Sequence, residues 1–180
     1  MKNQKTPFVI LGLLTIKPMS GYDMKKIIDK SIGHFWSESN GQLYPSLRQL
    51  VQEKYVVLEQ APHKGKKVCH LYSITDAGRA ALQSWLAATA ENRTVHRDEE
   101  LLKLFFGTNS SPKASITLLS ERQKRYQQSL DQYRSVKKEI DSFASSLHYV
   151  YWTFNVQNGI LSAEAEIRWC QESIKALSNM

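Results

Sequence analysis

The stretch SNGQLYPSLRQLV, residues 39–51, decides how the chain is read. Ser39 and Asn40 are alternative N-caps, because a short side-chain oxygen can satisfy the free N–H groups that open a helix. Leu43, Leu47, Leu50 and Val51 then fall at i, i+4, i+7 and i+8, one apolar stripe of a helix. The polar Gln42, Tyr44, Ser46 and Arg48 stand among them. Pro45 is expected near the helix start, where its missing N–H costs least.

Two helices precede this one. Phe8, Val9, Leu11, Leu13, Leu14 and Ile16 predict an apolar first helix, stopped by Lys17-Pro18. Ser20, with Asp23 three residues on, predicts the cap of a second helix carrying Tyr22, Met24, Ile27 and Ile28. Two β-rich runs follow, residues 55–60 and 68–74, flanking the polar turn 62–67, so a hairpin is expected. Thr75 caps a helix to about Ala88, with Ala77, Ala81, Leu82 and Trp85 inward. The expected fold is mostly α, an N-terminal winged helix-turn-helix of three helices plus a β-hairpin wing over residues 1–90. Residues 91–180 read as a helical dimerisation and effector-sensing domain with a long heptad-bearing helix.

That second half opens with a polar linker, residues 89–97. A helix from about Glu99 to Phe106 follows, closed by Gly107. From Lys113 to about His148 there is neither Gly nor Pro. Leu119, Tyr126, Tyr133, Ile140 and Leu147 recur every seven residues, with Ile116, Leu130 and Ala144 in the complementary seam and Gln123 and Lys137 as polar interruptions. Such a seam predicts coiled-coil-like packing between helices or subunits. Asn158-Gly159 is read as a stop and Ser162 as the cap of a last helix, whose Ile167, Cys170, Ile174 and Leu177 keep one face. The expected dimer interface is Leu119, Tyr126, Tyr133, Ile140, Leu147, Ile167, Cys170 and Ile174.

Charge separates the halves. Of the net +7, residues 1–90 hold 12 Lys/Arg against 6 Asp/Glu, a net +6, and residues 91–180 hold 12 against 11, a net +1. A basic half suggests an anionic partner such as nucleic acid. In a winged helix the third helix enters the major groove, while helix N-termini and loop N–H groups grip phosphates. Ser39, Asn40, Gln42, Tyr44 and Ser46 supply short donors and acceptors there, and Arg48 a phosphate or guanine contact. Lys64, Lys66 and Lys67 place three charges at the wing tip.

The same residues carry a family resemblance. Residues 10–14 (ILGLL), 18–23 (PMSGYD), Phe35-Trp36, 41–47 (GQLYPSL) and 72–78 (YSITDAG) resemble PadR-type transcription regulators. Residues 99–106 (EELLKLFF), the long helix and residues 169–172 (WCQE) resemble the larger subgroup, which includes phenolic-acid-responsive repressors and virulence activators. The resemblance implies a cytoplasmic homodimer on a near-palindromic double-stranded operator, dimerised by its C-terminal helices. It also puts Ser20 and Tyr22 at the phosphate backbone, Gln42, Tyr44 and Ser46 on the recognition helix, and Lys64 to Lys67 on the wing. Lys54 stands where the family usually has Gly, a position that readily takes positive φ.

Phenolic-acid sensors of this family imply a small aromatic ligand. His34, Trp36, His148, Trp152 and Arg168 are the candidate effector pocket, with Phe35, Tyr149, Tyr151 and Phe154 nearby in sequence. Core packing is the competing use of each aromatic. No phosphate loop, His-x-x-x-His, Cys-x-x-Cys or Gly-x-Ser-x-Gly motif occurs, so no enzyme, cofactor or metal is expected. Cys69 and Cys170 are far apart and read as small hydrophobes rather than a disulfide or redox pair. No uncharged apolar run approaches the roughly 18 residues of a membrane span, and no cleavage site marks a secretory signal. The expected function is a dimeric sequence-specific regulator, a repressor released by an aromatic effector. Its rivals are an activator of the same fold and an interaction module without specific DNA binding.

Overall fold

The computed structural model describes residues 5–31, 36, 39–62, 68–89 and 97–179. It forms two compact units, residues 1–92 and 93–180. In the first, α1 (Thr6–Leu14), α2 (Gly21–Ser31) and α3 (Asn40–Gln52) precede β1 (Val56–Pro62), β2 (Val68–Ile74) and α4 (Asp76–Ala87). In the second, α5 (Glu99–Phe105), a 3-10 turn (Gly107–Asn109), α6 (Pro112–Asp141) and α7 (Tyr149–Ser178) follow. The protein is mostly helical, with one two-stranded antiparallel hairpin among the described residues.

The first unit is built around α1. A helix apolar on nearly every side has to be enclosed, and Ile10, Leu11, Leu13 and Leu14 are buried against Met24, Ile28, Leu43, Leu47, Leu50 and Leu82. Phe8 stacks flat on Trp85 of α4, ring centres 4.7 Å apart. The hairpin pairs Val56 with Ile74 and Leu58 with Tyr72. Met19, just ahead of α2, adds an isolated antiparallel bridge to Tyr72, with its N–H on Tyr72 O (3.2 Å) and the Tyr72 N–H on Met19 O (3.0 Å). The entry to α2 is thereby tied to the base of the wing. At the far end Thr75 Oγ accepts from the N–H of Gly78 (3.1 Å) and donates to Lys54 O (2.9 Å).

α3 ends in a tight left-handed turn. Lys54 has φ 61°, and the N–H groups of Lys54 and Tyr55 reach back to Val51 O and Leu50 O. This is a Schellman closure with lysine where glycine is the unstrained residue. Pro45, expected near the helix start, is the sixth residue of α3 and lies in its second turn. Ala77 is exposed, and Gly78 is the residue turned inward. A Cβ at 78 would lie 2.3 Å from Tyr55 O, so α4 crosses the chain too closely for alanine.

In the second unit α6 and α7 form an antiparallel hairpin. Leu130 of α6 meets Val156, Ile160, Ala163 and Ile167 of α7, flanked by Tyr126, Tyr133, Val136 and Ile140. Two boundaries differ from the sequence reading. α6 stops at Asp141, not near His148: the Ser142 hydroxyl donates to Glu139 O (2.6 Å), and turns carry the chain to α7. Ala144 and Leu147 therefore leave the heptad seam, and Leu147 is 92% exposed. Asn158-Gly159 does not stop a helix and Ser162 caps none, because α7 runs unbroken through both. Gly159 is buried against the Tyr133 ring, and a Cβ there would lie 2.5 Å from Cε1. The glycine brings the two helices together rather than ending one.

Candidate nucleic-acid interface

Residues with short polar caps open both α2 and α3. Ser20 Oγ accepts from the Asp23 N–H (3.1 Å) and donates to Asp23 Oδ2 (2.7 Å). Ser39 donates to Gln42 Oε1 through its N–H (3.3 Å) and its hydroxyl (3.2 Å). The Gln42 side chain is thus folded back onto the cap.

Helical periodicity sorts the rest of α3. Leu43, Ser46, Leu47 and Leu50 face inward, while Asn40, Gln42, Tyr44 and Arg48 face out. Ser46 is buried at 5% exposure, so the sequence reading that gave it to DNA is corrected: it lies one position after Pro45 on the core side. Tyr44 and Arg48, one turn apart, stand on one face. Tyr44 is 39% exposed and Tyr22, on α2, 70%. Both rings are therefore exposed to water. Tyr72, on β2, has its phenol pushed up by burial and by Tyr44, with Arg48 pulling it down. Tyr44 and Arg48 of α3 thus act electrostatically on the base of the hairpin. Lys64, Lys66 and Lys67 lie outside the described residues.

The expected effector set is His34, Trp36, His148, Trp152 and Arg168. His34 lies outside the described residues, and Trp36 belongs to the first unit. His148 stacks on Trp152 at 5.4 Å, and Phe143 meets the same indole edge-on at 6.0 Å. Arg168 is sixteen residues further along α7, roughly 24 Å at 1.5 Å per residue, too far to join them. Of the expected dimer residues, Leu119 and Cys170 are buried, and Tyr126, Tyr133, Ile140 and Ile167 are occupied in the α6–α7 seam; Ile174 is half-buried.

Sequence reading missed the strongest electrostatic feature. Arg122 of α6 is only 4% exposed. Its Nη1 donates to Asp98 Oδ2 (2.7 Å) and Glu100 Oε2 (3.0 Å), and its Nε to Glu166 Oε2 (2.9 Å). Its guanidinium also lies 5.3 Å from the Tyr126 ring centre and 5.5 Å from that of Trp169. The Asp98 carboxyl is shared, since Oδ1 caps α5 through the N–H groups of Glu100 and Leu101. These N–H groups and Arg122 hold it below the usual carboxylate range, the Leu101 N–H foremost. The Glu166 hydrogen bond, opposed by burial and reinforced by Asp98, drives the Arg122 pKa up. Beside it lies a cleft of about 430 Å³ lined by Arg97, Glu99, Arg125 and Ser129 among others. The sequence signal was an acidic run at 98–100 with an unmatched arginine on an otherwise apolar face. Among the described residues no His, Cys, Asp or Glu group is arranged to hold a metal ion, and no helix is long and apolar enough to cross a membrane.

Three helices, a hairpin and an exposed third-helix face define a winged-helix protein of the DNA-binding type. Residues 10–84 match the model of the transcriptional regulator PadR-like family, and residues 96–178 that of the virulence activator alpha C-terminal family. The negative transcriptional regulator PadR of Bacillus subtilis is 31% identical over 136 residues, 75% of each chain. The chain belongs to the PadR-like family, a family of transcription regulators rather than enzymes. Its fold is that of B. subtilis PadR solved in complex with operator DNA (TM-score 0.85, 23% identity, 97% of this chain and 99% of that one). The same protein solved with p-coumaric acid gives 0.78, at 22% identity and the same coverage. The Vibrio cholerae virulence activator AphA gives 0.74, at 26% identity over 97% and 99% of the two chains.

Proposed function

We propose that this PadR-like regulator is a homodimer that binds a two-fold symmetric operator and represses by occluding promoter DNA. The observation that carries this reading is the exposed Tyr44–Arg48 face of α3, in a fold shared with a relative crystallised on its operator. Residues 1–90 bind DNA, and residues 91–180 dimerise and sense. One winged unit makes few base contacts; two, about one DNA turn (~34 Å) apart, combine them. With the heptad seam filled from within the chain, the dimer forms through the apolar side chains that the second unit leaves in water. These include Leu102, Phe105 and Phe106 at α5, Leu147, and Tyr151 and Phe154 of α7. Exposed apolar surface on this scale marks an interaction face. Repression follows the sense of the B. subtilis relative, and AphA supports activation as the second reading.

A small aromatic acid is the proposed effector, by analogy with the relative solved with p-coumaric acid. The Phe143–Trp152–His148 stack is the aromatic wall that this chain offers it. To release DNA, the acid must bind the DNA-incompetent state better, since equal affinity shifts nothing. The test is binding selection from random duplex DNA at moderate salt, followed by titration with aromatic acids. A two-fold symmetric consensus, with affinity falling steeply with salt, is expected. Absence of any enrichment, or a monomer at micromolar concentration by sedimentation, refutes the reading in favour of an interaction module.

A further inference from the structure

Gly21 opens α2 and is held from both sides. Met19, two residues earlier, is bridged to Tyr72, and Ser20 caps the helix that Gly21 begins. The backbone at this point therefore has little freedom to move. On the bare α-carbon of Gly21 rests the ring of Tyr44. A Cβ built at 21 would lie 2.8 Å from Tyr44 Cε1 and 3.4 Å from Cζ, and 3.3 Å from Leu47 Cδ1. Gly21 is buried and its φ is not in the left-handed region, so backbone conformation does not demand a glycine. What demands it is the aromatic ring.

The two partners are unequal. Leu47 is fully buried, whereas Tyr44 is partly in water and can swing. A methyl at 21 is accommodated by Tyr44, whose ring edge must retreat by roughly 0.7 Å to restore a carbon–carbon contact near 3.5 Å. The phenol hydroxyl, further out on the same lever, moves more. Hydrogen bonds to base edges tolerate little displacement. Tyr72 of β2 is near enough to Tyr44 and Arg48 for both to act on its phenol.

We propose that Gly21 is a specificity-determining positioning residue: its missing side chain fixes the ring of Tyr44, and thereby which base pair the third helix discriminates. The inference rests on the operator-binding reading above. Gly21 touches no DNA in this account; it acts through Tyr44.

A double-mutant cycle tests it. Wild type, Gly21→Ala, Tyr44→Ala and the double variant are titrated against the selected consensus duplex and its single-base-pair substitutions. Gly21→Ala is expected to relax the preference at one base pair by about tenfold. Tyr44→Ala is expected to relax the same base pair, with the double variant relaxing it no further. Thermal unfolding of Gly21→Ala should overlay that of wild type. Additive losses in the double variant, an unchanged profile for Gly21→Ala, or equal weakening on every duplex overturns the inference and leaves operator binding intact. Should Gly21→Ala not fold, the double variant, which lacks the ring that the new methyl would meet, is compared with Tyr44→Ala: the same base-pair preference supports the inference, and a further change overturns it. A wild-type protein that selects no consensus removes the operator-binding reading itself, an outcome seen before any variant is made.

Discussion

Replacing Lys54 by glycine should relieve backbone strain at the end of α3. Lys54 carries a φ of 61° at the end of α3, where both closing hydrogen bonds are formed. A residue with a Cβ is strained there by roughly 1–2 kcal/mol, while glycine brings back about 0.5–1 kcal/mol of unfolded-chain entropy. The charge adds a third effect. A lysine after the last helical turn faces the negative end of the helix dipole, worth about 0.3–1 kcal/mol at most. Comparison with Lys54→Ala removes that effect, since both variants lose the charge. The glycine variant should exceed the alanine variant by about 1 kcal/mol. With a urea slope of about 1–2 kcal/mol/M, its midpoint should lie roughly 0.5–1 M higher. Equilibrium unfolding followed by far-ultraviolet dichroism and tryptophan fluorescence measures this on the full chain. Equal midpoints for the two variants would refute the argument, because the strain would then not reside in φ.

The remaining expectations concern packing and charge. Gly12→Ala, where a new Cβ meets nothing within 4 Å, should stabilise by about 0.5–1 kcal/mol. Gly159→Ala drives a methyl into the Tyr133 ring and should cost about 1–3 kcal/mol despite its better helix propensity; melting curves of the two should shift in opposite directions. Arg122→Met strips three carboxylates of their shared cation and should destabilise by roughly 2–4 kcal/mol, less than a fully buried pair because Glu100 and Glu166 keep some access to water; urea titration would show it, and a loss below 1 kcal/mol would mean that water replaces the guanidinium. Asp98 has a folded pKa below its unfolded value near 4. Its contribution is therefore complete above about pH 4 and fades as pH falls through the folded value; Asp98→Asn should flatten the acid limb of stability against pH, and an unchanged limb would contradict the assignment.

The first unit was legible because its signals are local. Thr75 caps α4, Ser39 opens α3, and the strand runs bracket a polar turn, each within a few residues. Lys54 was legible for the same reason, since a helix end states its own conformational need. The interface list was harder. Ser46 looks like Ser39 in composition, and only its phase relative to Leu43, Leu47 and Leu50 places it inside. In the second unit the decisive facts are distant. Gly159 carries a helix-stop signal locally, and its use appears only when Tyr133, 26 residues earlier, lies across it. Leu147 continues a seven-residue count past the point where Ser142 ends α6. Arg122 could not be paired from sequence, because Asp98, Glu100 and Glu166 come from elements that meet only after the hairpin closes.

That separation gives the Arg122 node a bearing on time as well as on stability. Asp98 is 24 residues from Arg122 and Glu166 is 44 away, so the guanidinium finds its partners only after two long segments have docked. Contacts of such separation require loop closure before they return any energy, and late formation in folding is the expectation for them. An interaction absent from the folding transition state slows unfolding while leaving the folding rate alone. The node is thus a brake on opening: it lengthens the lifetime of the helical unit each time it forms, without hastening its formation.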